Sequence, residues 1–374
     1  MSEDQANLDR PYWVALSQVD RIGPVRVRRL FEHFGSLEAA WSANRAQLGY
    51  ILDARSIENI EQARRRTEPA AALELCERLG ITVLTAIDLG YPRLLSHIPA
   101  APPVLYVRGS LIETDDCAVA IVGTRRATPY GREIVSEIAR DLAVAGVTVV
   151  SGLARGIDGF AHQGALEGQG RTVAVMASGV DVIYPSEHRA LADRVAGHGA
   201  LVSDYPPGTK PDGSNFPARN RIIAGMSLAT VVVEAPARSG ALITVDFAAD
   251  QGRDVFVVPA NVTSGASTGS NKLIRDGARM ITSAADLLMD LGIGELTIDQ
   301  TAPSQESLPL TDEERRIMAV MSRQPVHVDE IVVAANMTVS QGSAMLTMLE
   351  LKGLVQNAGS QHYSLTRSSR SANS

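Results

Sequence analysis

Cysteine is almost missing from this chain. Cys76 and Cys117 stand far apart, and neither has a C-x-x-C partner, which fits a reducing cytoplasm better than a disulfide framework. The histidines are scattered, with no H-E-x-x-H or H-x-x-x-H spacing, so no metal or other cofactor is expected. No G-x-x-x-x-G-K-[ST] loop is present, which argues against ATP hydrolysis. Aromatics are sparse in a composition that is otherwise that of a globular protein. No apolar run is long enough to span a membrane, and the N-terminus has no basic-plus-apolar leader. A cytoplasmic protein without a membrane partner is therefore expected. An excess of positive charge is lacking too. The net charge of −7 excludes a uniformly basic nucleic-acid binder and confines any such site to a local patch.

What is present centres on residues 119–162. Val119-Ala120-Ile121-Val122 is a short apolar run closed by Gly123, the pattern of a strand buried on both faces. From 129 to 145 apolar residues recur at helical spacing, at Ile134, Ile138, Leu142 and Ala145. Pro129 suits the first turn of that helix, and Gly146 its stop. Residues 147–150 read as a second strand, and Gly156 and Asp158 stand where another helix begins. A strand–helix–strand unit of a parallel sheet is expected. Its two turns are Gly123-Thr124-Arg125-Arg126 and Ser151-Gly152-Leu153-Ala154-Arg155-Gly156. Both lie at the carboxyl ends of strands, where open parallel sheets bind ligands. Glycine admits close backbone approach, helix N-termini offer N–H groups to anions, and arginine adds a bidentate fork. These turns are expected to bind phosphate; the plainer alternative is that the glycines only permit tight turns. Asp158 is expected to cap its helix and His162 to pack or hydrogen-bond.

The stretch is no dinucleotide fingerprint, because the second and third glycines of G-x-G-x-x-G are absent. It closely resembles the DNA-processing protein A family (DprA, also called Smf). The matching residues are Ile121-Val122-Gly123-Thr124-Arg125, the run from Ser151 to Asp158, and Ala161-His162. A second match is Phe216-Pro217-Ala218-Arg219-Asn220-Arg221, ahead of an apolar helical run. Its arginines could meet successive phosphates while Phe216 stacks on a base. Alternatively they pair with core acids such as Glu234; one structural and one ligand-binding arginine is expected. The third match runs from Glu234 to Thr244, with Ser239 as N-cap beside Gly240 and Glu234 and Thr244 as supporting residues. The chain departs from the family at Pro259-Ala260-Asn261, where Pro-Gly is usual. Residues 269–278 follow it, and there Leu273 and Ile274 resemble its dimer contact; ordinary core residues are the alternative.

The expected class is α/β: a doubly wound Rossmann-like parallel sheet with small domains on either side. Residues 1–72 read as short helices around the Gly23-Pro24 turn; they resemble a sterile-alpha-motif or helix-hairpin-helix module, and a small helical packing domain with a solvated basic face is the favoured alternative. The core is expected over 73–290, with residues 81–84, 91–95 and 102–109 read as its strand-like approach. A polar linker covers 291–309, a winged-helix-like domain 310–367, and a disordered tail 368–374. Between Leu310 and Leu365 acids outnumber bases, so that domain is expected to bind protein and not duplex DNA. The resemblance implies a homodimeric, non-enzymatic single-stranded-DNA-binding protein. It would protect incoming DNA and help load the RecA recombinase during natural transformation. The rival is a nucleotide-cleaving phosphoribohydrolase-like enzyme, for which Glu234 is the best argument, although the Pro-Gly-Gly-x-Gly-Thr loop of such enzymes is absent.

Overall fold

The structure, a computed structural model, describes residues 3–293, 310–322, 325–352, 354–359 and 361–365. Helices open the chain: α1 (Glu3–Ser17), α2 (Pro24–Phe34), α3 (Leu37–Ser42), α4 (Arg45–Leu48), α5 (Ala54–Arg66) and α6 (Pro69–Arg78). Local chemistry sets their ends. Pro24 occupies the first turn of α2, and Gly35 stops it with φ 77°. The side chains of Ser36, Asn44 and Asp53 accept the N–H groups of Ala39, Gln47 and Ser56 at the next three helix starts. Buried Asp9 ties α1 to α3 by accepting from the Leu37 and Glu38 amides.

The sheet follows. Its strands are β1 (Thr82–Thr85), β2 (Val104–Gly109), β3 (Ala118–Val122), β4 (Thr148–Ser151), β5 (Thr172–Val175), β6 (Ala200–Ser203), β7 (Ala229–Val232), β8 (Asp254–Val257) and β9 (Arg279–Met280). Between them lie α7 (Arg93–Ser96), α8 (Pro129–Val144), α9 (Ile157–Glu167), α10 (Arg189–His198), α11 (Asn215–Gly225), α12 (Gly240–Asp250) and α13 (Thr268–Arg275), with α14 (Ala284–Asp290) after β9. The spatial order is β1-β2-β6-β5-β4-β3-β7-β8-β9, and every pair from β6 to β9 is parallel. The chain steps outward from β3 to β6, then returns to the other side of β3 with β7. That reversal opens a crevice beyond the carboxyl ends of β3 and β7. All five residues of β3 are buried, as its unbroken apolar run requires.

Two local readings change. Residues 91–95 form no strand: α7 lies there, and Tyr91 donates its hydroxyl hydrogen to the Pro102 carbonyl. The proline-led segment does become β2, but β2 and β1 join the parallel sheet antiparallel, at its edge. Residue 72 falls inside α6, and the helical core of Trp13, Leu16, Leu30 and Ile60 continues into Val104, Tyr106 and Leu201 of the sheet.

The second unit has α15 (Asp312–Val320), β10 (Val326–His327), α16 (Val328–Ala334), α17 (Val339–Leu351), β11 (Val355–Gly359) and β12 (His362–Leu365). This is the expected winged-helix order plus one short strand, β10, which pairs with β12. Leu346 and Leu349 of α17 are buried with Ile317, Ile331 and Val355 and belong to the core, whereas Met348 on the same helix is exposed. Most of the expected linker and all of the expected tail lie outside the described residues. No single helix among the described residues is long and apolar enough to cross a membrane.

Candidate nucleic-acid interface

A cleft of about 730 Å³ occupies the crevice between β3 and β7. Its walls are the turn after β3 (Gly123 to Arg126), Ala154 and Asp158 after β4, Tyr184 after β5, the start of α11, and Pro236 to Thr244. Two helix N-termini therefore open into it. Ser239 caps α12 as expected, accepting from the Ala241 amide at 3.3 Å. Asn220 donates to the Gly240 carbonyl at 3.3 Å and so ties α11 to the start of α12.

Phe216 is the centre of its charge arrangement. The Arg125 guanidinium lies 5.2 Å from the ring centroid, and that of Arg219 lies 6.0 Å away. Arg219 is buried; it donates to the Gly152 carbonyl at 2.9 Å and to the Val175 carbonyl. Burial pushes its pKa down to about 10; Asp158 works against that shift, and neighbouring Arg125 adds to it. Two cations thus share one ring, and each disfavours the charge of the other. Arg125, Arg126 and Arg238 are exposed and make no ion pair among the described residues.

Several expected site residues turn out to build the turns. Ser151 is fully buried and donates its hydroxyl hydrogen to the Ile121 carbonyl at 2.6 Å. The Gly152 amide is taken by Asp158 at 3.1 Å, and a Cβ on Gly152 would lie 2.6 Å from the Arg219 guanidinium. That glycine makes room for arginine. Gly156, with φ 77°, lets the β4 turn press on the Thr124 carbonyl, which a side chain would strike. The Thr124 amide donates to the Glu234 carbonyl at 2.6 Å. Asp158 holds the Gly152 and Ala154 amides and so braces the turn ahead of α9, whose N-cap is Gly156; burial raises its pKa. His162 is buried, bonded through Nδ1 to Thr172 at 2.7 Å, and held neutral by a pKa that burial pushes down to about 3.

The arginine pairing with Glu234 does not occur. Glu234 accepts from the Thr128 amide at 2.9 Å and hydroxyl at 2.6 Å, bracing the start of α8. Arg221 lies away from the cleft lining; it pairs with Asp204 at 2.8 Å and donates to the Ala100 carbonyl. Arg155 is also outside the lining, exposed and paired with Glu187. Thr244 lines the cleft as expected. Leu273 and Ile274 are half-buried against the apolar core under α13. The departure at Ala260 is pinned locally, its amide and carbonyl both bonded by the Asn271 side chain.

Sequence reasoning assigned no role to Tyr184 or Arg238. Arg238 stood in plain view inside the third motif, two residues before α12. Tyr184 follows β5, one more strand end at the crevice, which was the available signal.

The family model for DNA recombination-mediator protein A matches residues 82–292, and that for the DprA winged helix domain matches 301–359. Protein Smf of Synechocystis sp. is 38% identical over 394 aligned residues, covering 96% of this chain and 99% of its own. The putative DNA processing protein DprA of Mycobacterium tuberculosis is 39% identical, over 92% of this chain and 91% of its own. The X-ray structure of DNA processing protein A from Streptococcus pneumoniae aligns with a TM-score of 0.67 at 32% identity, covering 75% of this chain and 97% of that one. The protein from Helicobacter pylori, whose structure concerns its single-stranded DNA binding mode, aligns at 0.52 and 29% identity over 57% of this chain and 96% of its own. The chain belongs to the DNA recombination-mediator protein A family, that of the DprA and Smf proteins.

Proposed function

We propose that this chain is a non-catalytic single-stranded-DNA-binding protein whose cleft between β3 and β7 grips the backbone of one strand. One observation carries the reading: an acidic protein leaves Arg125, Arg126 and Arg238 unpaired, among the described residues, in the crevice that also holds Phe216. Cations along the backbone with an aromatic for the bases are the usual combination for sequence-tolerant single-strand binding. Family membership and the Helicobacter pylori relative's binding mode support it. Within this reading the cytoplasmic protein coats and protects incoming DNA as a homodimer joined at Leu273 and Ile274. It then helps load the RecA recombinase during natural transformation.

The enzyme reading needs Glu234 as a catalytic acid. That carboxylate is buried, bonded to Thr128, and lines a neighbouring pocket instead of the arginine cleft. Incubating the purified protein with 5′-nucleotides, and separately titrating it with an oligothymidylate, tests both. We expect strand binding with no base release; base release at an enzymatic rate contradicts the proposal.

A further inference from the structure

Resting on that reading of the cleft, we propose that Tyr184 is a second base platform, set so that two neighbouring bases cannot stack on each other. Tyr184 lines the cleft and is 41% exposed, a large aromatic surface left open to solvent. Its ring lies edge-on to Phe216, with centroids 5.7 Å apart and planes at 64°. A base lying flat on each ring inherits that angle. Two successive bases held this way are unstacked, and the strand must bend between them. A stacked duplex cannot supply such a step, whereas a flexible single strand can.

The turn that leads to Tyr184 is tied by hydrogen bonds. The Val182 amide donates to the Gly179 carbonyl and Ser178 donates to the Val182 carbonyl, while the Gly179 amide donates to the Thr209 carbonyl. Stacking tolerates any base, so the platform adds affinity without sequence preference.

The test uses the full chain and a short oligothymidylate. Tyr184→Leu should weaken binding about tenfold, equivalent to roughly 1.4 kcal/mol, while Tyr184→Phe should bind like the unaltered protein. A pair of adjacent 2-aminopurines, moved stepwise along the strand, gives an exciton circular-dichroism couplet only while its bases stack. The unaltered protein should abolish that couplet at one step, and Tyr184→Leu should restore it there. A couplet that persists at every step in the bound unaltered protein overturns the proposal, and this arm does not depend on any variant folding. Arg125→Ala separates the two levels of the argument. If it weakens binding while Tyr184→Leu does not, the strand lies in the cleft and Tyr184 is no platform. If neither variant changes binding, the cleft reading itself fails.

Discussion

Removing the Arg125 guanidinium should weaken strand binding in a way that salt makes visible. Arg125 lies over Phe216, exposed and without an ion pair among the described residues, so Arg125→Ala disturbs no internal bridge and the fold should survive. A charge-assisted contact of this kind contributes about 1.5–3 kcal/mol, a loss of roughly 10- to 150-fold in affinity. Each neutralised phosphate of a single strand adds about 0.7 to the slope of log affinity against log salt. The variant's slope should therefore be shallower by about 0.7. Raising salt fourfold should then narrow the gap between variant and unaltered protein by roughly 2.5-fold. Arg125→Lys keeps the charge and loses the fork, so it should retain the slope while giving up part of the affinity. Arg221→Ala is the contrast: its partner is Asp204, so its slope should not change. Fluorescence anisotropy of a labelled oligothymidylate over a salt series reads all of these. An Arg125→Ala protein that is folded and unchanged in both affinity and slope refutes the reasoning.

Other perturbations separate structural from binding roles. Arg219→Met strips the donor from the Gly152 and Val175 carbonyls and leaves Asp158 buried with less compensation. It should cost roughly 2–4 kcal/mol of stability in denaturant melts; a loss under about 0.5 kcal/mol would show that the β4 turn does not depend on it. Ile274→Glu, if the half-buried residue joins two chains, should give a folded monomer by light scattering with poorer strand coating; insoluble protein would mark it as core instead. Deleting residues 305–374 should leave single-strand affinity within about threefold, under roughly 0.7 kcal/mol. Anisotropy of the truncated protein checks this, and a large loss would show that the second unit grips the strand.

The strand–helix–strand frame was legible because its signals are local. An apolar run, a proline and a glycine mark β3, α8 and the following turn within a few dozen residues. The cleft's position followed, since strand ends at a reversal of order hold ligands whatever the side chains. The division of labour among the polar residues was not legible. Arg219 is structural because Gly152 and Val175, which lie 67 and 44 residues away in sequence, present carbonyls to it. Glu234 braces Thr128 across 106 residues, and nothing in the spacing of either motif announces that pair. Ser151 looked like part of a phosphate turn, but its hydroxyl belongs to the β3–β4 seam. Motif matching tells which residues gather at a site; burial decides which of them face a ligand, and burial depends on partners that the local pattern does not contain.

The central claim is that local cations in an acidic chain hold one strand of DNA in the cleft between β3 and β7. The most direct measurement titrates the unaltered protein with single-stranded and with double-stranded DNA of the same sequence, across a range of salt concentrations. Tighter single-strand binding is expected at every salt, with log affinity falling linearly against log salt. Equal or tighter binding of the duplex, or single-strand affinity that does not respond to salt, would contradict it.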